Sequence, residues 1–215
     1  MQLAVLLFTF LLCYCSVQAD SACKDEVDNV LTVQDCGDED ALIKFDNLVI
    51  HAYDTKKNAK CLPAGSDDVR GIILPGHAKI AAGSIHIKET LDLEGKNTLL
   101  LFTLEKNSWA IGAVCQDGKS QSVFVSENDC RFDLCKLIGS QFCSMFSQKG
   151  VIEIPSIMPE FLKYIPLPAL TSSAIEGQWK GDIKIMYGGN IIGCLRYPGN
   201  GEWVELKSES EKTEL

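Results

Sequence analysis

The chain has 215 residues, with 20 Lys and Arg against 29 Asp and Glu, for a net charge of −9. An acidic chain is a poor partner for nucleic acid, whose phosphates need clustered Lys and Arg, and an anionic bilayer repels it near neutral pH. With a pI of about 4.8, that repulsion largely vanishes in an acidic compartment of roughly pH 5–6.

Residues 3–15, LAVLLFTFLLCYC, form an uncharged apolar run followed by Ser16-Val17-Gln18-Ala19, with small residues where a signal peptidase reads. The pattern predicts a signal peptide over residues 1–19 and Asp20 as the new amino terminus, although the usual basic residue before the run is missing. A membrane anchor is the competing reading, but a span needs about 20 apolar residues. Removing the leader leaves 215 − 19 = 196 residues, enough for one domain with its own core. Residues 20–204 are expected to form that domain and 205–215, ELKSESEKTEL, a disordered charged tail. The ending Lys212-Thr213-Glu214-Leu215 is similar to an endoplasmic-reticulum retrieval signal with Thr replacing the acid; a solvated chance ending is the alternative.

Loss of the leader also removes Cys13 and Cys15. Cys23, Cys36, Cys61, Cys115, Cys130, Cys135, Cys143 and Cys194 remain, and an even count in a secreted chain argues for four disulfides without fixing their pairing. Only Cys130 and Cys135 approach zinc-module spacing, and the three histidines are widely spread, so no metal is expected.

Along the chain the apolar pattern is mostly period-two. The acidic run Asp35, Asp38, Glu39, Asp40 lacks the alternating carboxylates and distant Glu of an EF-hand loop and reads as a solvated loop. Ala41–Ile50 and Ser84–Leu93 read as strands, with a polar loop insertion over Asp54–Asp68 that carries Cys61. Thr98–Leu104 and Trp109–Cys115 read as an adjacent pair, and Arg131–Ile138 as one short helix with Leu134, Leu137 and Ile138 on one face. Gly181–Tyr187 and Ile191–Leu195 flank Gly188-Gly189-Asn190, a hairpin signature because the turn needs positive φ. Such spacing predicts an all-β antiparallel sandwich.

Ile154–Leu170 breaks the pattern. It holds four of the seven prolines, at 155, 159, 166 and 168, yet crowds Ile157, Met158, Phe161, Leu162, Tyr164, Ile165 and Leu167. Proline denies it a regular helix or an interior strand. It is read either as a loop folded onto the core or as an apolar rim that touches lipid. Trp109 is a second rim candidate, with an ordinary core aromatic as its alternative.

No catalytic constellation can be assembled. There is no serine elbow or Gly-rich phosphate loop, His51, His77 and His86 lack ligand spacing, and fully bonded cysteines leave no thiol nucleophile. A non-enzyme without cofactor is expected.

The order Asp35-Cys36, Ile72-Ile73-Leu74-Pro75-Gly76, Leu104-Glu105-Lys106, Trp109, Cys115, the mid-chain cysteine cluster, Lys149-Gly150 and Gly193-Cys194 resembles the MD-2-related lipid-recognition (ML) family over about residues 35–196. The resemblance implies an immunoglobulin-like β-sandwich, or β-cup, around an apolar internal cavity. It implies Cys36 bonded to Cys194 and Cys115 to Cys130, with Cys135 and Cys143 a natural third pair; Cys23 and Cys61 have no family counterpart, and a bond between them would tie down the insertion. It also implies a secreted or lysosomal protein that makes transient membrane contact, lifts a glycosphingolipid (a ganglioside), and presents it to a lysosomal β-hexosaminidase. A sterol or fatty-acid carrier, a secreted immune lipid-recognition module and an unrecognised hydrolase are the alternatives. The chain departs from the family in two ways. His77-Ala78-Lys79 stands where the glycosylation sequon falls, leaving only the weak variant Asn128-Asp129-Cys130. The cysteine cluster is one disulfide shorter and the Pro-rich loop longer, so lipid binding carries over more safely than ganglioside choice.

Overall fold

A computed structural model describes residues 23–59, 71–123, 125–154, 164–167, 176–199 and 201–208. Its strands are β1 (Val30–Thr32), β2 (Gln34–Asp35), β3 (Ile43–Asp54), β4 (Gly71–Leu74), β5 (Gly76–Ile87), β6 (Leu99–Lys106), β7 (Ala113–Gln116), β8 (Lys119–Ser120), β9 (Arg131–Asp133), β10 (Gly150–Ile154), β11 (Tyr164–Leu167), β12 (Gly177–Tyr187), β13 (Asn190–Tyr197) and β14 (Val204–Ser208). Two short helices, α1 (Leu134–Ile138) and α2 (Ser140–Phe146), follow β9.

The strands form two sheets. The first runs β1-β3-β5-β10, with β11 also paired to β5. The second runs β2-β13-β12-β6-β7-β8, with β14 on β12, β4 on β14 and β9 on β6. Every pairing is antiparallel except the short parallel β14–β4 ladder. This is the expected all-β, sandwich-like architecture. Among the described strands the chain crosses between the sheets seven times, and two of the crossings take a single residue: Val33 between β1 and β2, and Pro75 between β4 and β5. The Leu74–Pro75 and Tyr197–Pro198 peptide bonds are cis.

The β12–β13 hairpin forms as its turn signature requires, with Gly188 at φ 56° and Gly189 at φ 89°. The expected strand over Ser84–Leu93 is displaced toward the amino terminus: β5 ends at Ile87, and Leu91 and Leu93 leave the ladder to bury themselves at 3% and 1% exposure. Residues 109–112 form a turn, so the partner of β6 begins only at Ala113. The expected helix is α1, with Asp133 capping it by accepting from the Lys136 N–H at 3.0 Å. Order also extends past residue 204, because Val204 and Leu206 alternate with polar neighbours and pack on the second of two cores; residues 209–215 lie outside the described set.

Among the described residues three of the four expected disulfides are found, Cys36–Cys194, Cys115–Cys130 and Cys135–Cys143, and Cys23 is disulfide-bonded as well. The expected Cys23–Cys61 bond has one end, Cys61, outside the described residues. Several disulfides suggest an oxidising compartment. No helix among the described residues is long and apolar enough to cross a membrane.

The main core joins Ile43, Ile85, Ile87, Ile152 and Ile154 of the first sheet to Leu100, Ile185 and Ile192 of the second. The helices close this end with Leu134 and Cys143. A smaller core gathers Val114, Cys115, Cys130, Trp179 and Val204.

Candidate functional site

Strand register sorts the inward side chains of the second sheet into rows: Leu100–Ile185–Gly193, then Phe102–Ile183–Leu195, then Leu104–Gly181–Tyr197. Close packing of two sheets normally buries such rows. Only the first row is buried, with Leu100 and Ile185 each 8% exposed; the next two rows are half-buried throughout. On the first sheet Ile43, Ile85 and Ile87 are at most 3% exposed, and Ile50, Ile80 and Ile165, farther along the paired strands, are half-buried, although Leu31 opposite Ile50 and Ala52 beyond it are buried at 4% and 2%. A Cβ at Gly181 would clash with the Thr103 carbonyl oxygen and stand 2.7 Å from Leu104 Cδ2, so the close approach of β12 to β6 there requires glycine.

The half-buried rows lie between the main core and the second core, where the next row, Trp179 with Val204, is again buried at 7% and 2%, at the end of the molecule opposite the helices. There β4 pairs with β14, β14 pairs with Gly177–Trp179 of β12, and the Asn107 N–H donates to the Gln178 carbonyl at 2.8 Å. Trp109, at the tip of the β6–β7 turn beside this contact, is 101% exposed. It is therefore not a core aromatic. Of the apolar Pro-rich segment, Tyr164, Ile165 and Leu167 lie in β11 and are half-buried; Ile157, Met158, Phe161 and Leu162 lie outside the described residues. Pro166 is tolerated in β11 because the strand is an edge. The structure thus brings Tyr164, Ile165 and Leu167 to the same end as Trp109.

On the outer face of the first sheet, His51, Lys79 and Tyr164 align across β3, β5 and β11, and Tyr53, His77 and Pro166 form the next row. The Tyr53 and Tyr164 rings meet edge to face at 5.3 Å, and His77 lies 6.1 Å from Tyr164. Tyr53 Oη donates to Asp25 Oδ1 at 2.9 Å. Burial and then that bond push the tyrosine hydroxyl's pKa up. Burial would raise the Asp25 carboxyl, but donors from Tyr53, Asn29 and the Glu26 N–H outweigh it and hold it low. His51 is 5% exposed, and its Nδ1 is buried with no hydrogen-bond partner among the described residues. Burial holds its pKa down, opposed by Glu26 and Asp25 and reinforced by Lys79. Tyr197 Oη is likewise buried and unpartnered.

Other candidates resolve into structure. Asp35, from the acidic run, accepts from the Gly37 and Phe45 N–H groups and pairs with Lys44 at 3.4 Å. Cys36, Asp182 and Cys194 converge as a metal site would, but the two sulfurs are bonded to each other. A cleft of about 440 Å3 at the helix end is lined by Asp92, Glu94, Lys96, Ser144, Ser147 and Tyr187, among others, a polar wall unsuited to an acyl chain. Residue-by-residue reading missed Phe102, Ile183 and Leu195 as inner-face residues and Tyr53, Lys57 and Lys79 as a cluster. Period-two alternation marks the first three; the cluster depends on cross-strand register. No family model matches the chain, and a search of curated proteins finds no match.

Proposed function

We propose that this protein is a non-catalytic lipid carrier akin to the ganglioside GM-2 activator. It extracts a glycosphingolipid from a membrane, shelters the acyl tails between its two sheets, and presents the headgroup to a hydrolase such as a lysosomal β-hexosaminidase, in the lysosome or outside the cell. The observation that carries the reading is a belt of half-buried apolar side chains between the two cores, Phe102, Ile183, Leu195 and Leu104 on one inner face and Ile50 and Ile80 on the other. Apolar side chains that stay half-open between two sheets are what an immunoglobulin-like cup with an apolar cavity requires.

The thermodynamics suit the role. Burying an acyl chain from water gains about 0.8 kcal/mol per methylene, but moving it from bilayer to an apolar cavity gains almost nothing. Transfer is near balance and reversible, and its barrier is passage through water. An exposed indole at the rim, Trp109, lowers that barrier by docking on the bilayer.

The test is extraction. Purified protein is incubated with vesicles that carry a fluorescent glycosphingolipid, the vesicles are removed, and lipid left with the protein is identified by mass spectrometry. A soluble protein–lipid complex near one to one supports the reading. No lipid in the protein fraction, or release of sugar without an added hydrolase, refutes it. Recovery of sterol or fatty acid alone would reassign the carrier to those ligands.

A further inference from the structure

We propose that the outer face of the first sheet beside the rim is an anion-binding surface, with Lys57 and Lys79 arranged over Tyr164 and Tyr53 to take the headgroups of an anionic bilayer. The inference rests on the lipid-carrier reading and names the surface on which the carrier docks.

The charge bookkeeping points there. Lys44, Arg131, Lys136, Lys180, Lys184, Arg196 and Lys207 each have a carboxylate within 4 Å. Among the described residues no carboxylate lies within ion-pair distance of Lys24, Lys56, Lys57, Lys79, Lys88, Lys96, Lys119 or Lys149, although the chain carries nine more acids than bases, and of these lysines two, Lys57 and Lys79, converge on a single ring. Lys57 Nζ stands 4.6 Å from the Tyr164 ring centroid, and Lys79 Nζ stands 5.8 Å from Tyr164 and 5.9 Å from Tyr53. Two ammonium groups share one ring. A ring face attracts a cation weakly and takes none of its hydrogen bonds, so among the described residues nothing takes up the donors of either lysine, and an anion can.

The arrangement is also held in place. Lys57 sits at φ 65°, a backbone region uncommon for a residue with a Cβ. The turn that imposes it is fixed by Asp54 Oδ1, which accepts the Lys56 and Asn58 N–H groups at 2.8 Å each. The Asp25 carboxylate anchors Tyr53 through its hydroxyl, and that acid is engaged by Asn29 and the Glu26 N–H as well. Lys57 is exposed, Lys79 and Tyr164 are half-buried, and Tyr53 lies beneath them at 3% exposure, so the two ammonium groups stand at the surface of a filled sheet face, which suits a planar surface better than a small enclosed anion. It is at the same end as Trp109, so lipid headgroups would meet the lysines as the indole meets the bilayer. Screening over about 8–10 Å lets this local patch act despite the negative net charge.

The experiment is vesicle co-sedimentation of the full protein with phosphatidylcholine alone and with added phosphatidylglycerol. Each lysine close to an anionic surface contributes about fivefold, so Lys57→Gln with Lys79→Gln should cost about thirtyfold in affinity for anionic vesicles. Lys57→Gln alone, at an exposed position, should cost about fivefold and guards against misfolding of the double variant. Lys149→Gln, exposed at the opposite end, makes the same change in net charge and should leave binding within twofold. Equal losses in all three variants, or no preference of the wild type for anionic vesicles, overturns the proposal. Displacement by inorganic phosphate beyond that by chloride at equal ionic strength would show a site for free anion and equally overturn the bilayer assignment. Extraction from phosphatidylcholine by the wild type separates the two readings: extraction without anionic preference leaves the carrier and removes the patch. Anionic docking without extraction does the reverse.

Discussion

Replacement of Trp109 by Ala separates folding from docking more cleanly than any other substitution. The side chain is 101% exposed, so its loss removes no packing, and the thermal midpoint should move by no more than a surface change does, about 0.5 kcal/mol in stability. Docking is different. An aromatic side chain presents about 150–250 Å2, and at about 25 cal/mol per Å2 its full withdrawal from water contributes about 4–6 kcal/mol. A loop tip that immerses a third to a half of the ring gains about 2 kcal/mol, or roughly thirtyfold in vesicle partitioning. Fluorescence supplies an independent readout. Trp179 is 7% exposed and Trp203 is half-buried beneath Lys180, so the solvent-exposed emission belongs chiefly to Trp109. Added vesicles should shift the wild-type spectrum to shorter wavelength and leave Trp109→Phe nearly unmoved. Unchanged partitioning of Trp109→Ala in a folded protein refutes the docking role; a large fall in thermal midpoint refutes the exposed position itself.

Ile185 and Ile183 share a strand and a face but differ in burial, so they should respond oppositely. Ile185→Ala should cost about 2–5 kcal/mol by urea unfolding and spare lipid uptake per folded molecule, whereas Ile183→Trp should fold and lose uptake; the reverse pattern refutes the half-open inner face. Acid should loosen the amino-terminal edge in two steps. The unfolded chain protonates His51 near pH 6.5, but the folded chain resists because burial disfavours the imidazolium. Stability therefore falls as pH drops below about 6.5. Asp25, held low in the fold, contributes stability above about pH 4 that is lost below it. In urea midpoints measured against pH, His51→Gln should abolish the first decline and keep the second; an identical profile refutes the assignment.

Much of the architecture was legible because two signals are local. Alternation in Gly181–Tyr187 and the positive-φ residues Gly188 and Gly189 specify the hairpin without reference to anything distant. The three observed disulfides followed from a resemblance in cysteine order. Less legible was the placement of β5, because Ser84–Leu93 carries the strand pattern on both sides of its true end at Ile87, and tertiary burial of Leu91 and Leu93 overrides the local preference. Trp109 was ambiguous for a related reason. Its neighbours Ile111 and Val114 belong to the second core while the indole itself points to solvent, and no period within residues 107–112 distinguishes the two. The lysine–tyrosine cluster was illegible in principle. Lys57, Lys79 and Tyr164 are far apart in the chain and meet only through the register of β3, β5 and β11.

The Cys36–Cys194 bond also sets an order of events during synthesis. Its partners are 158 residues apart, and β2 can pair only with β13, among the last strands to be made. At about 5–20 residues per second, Cys36 waits roughly 10–30 s for its partner to exist. During that interval Cys115–Cys130 and Cys135–Cys143, closing loops of 15 and 8 residues, can form on their own and remove four competing thiols. The nascent chain therefore sorts its cysteines by time: local pairs are taken out of circulation before the long closure becomes available.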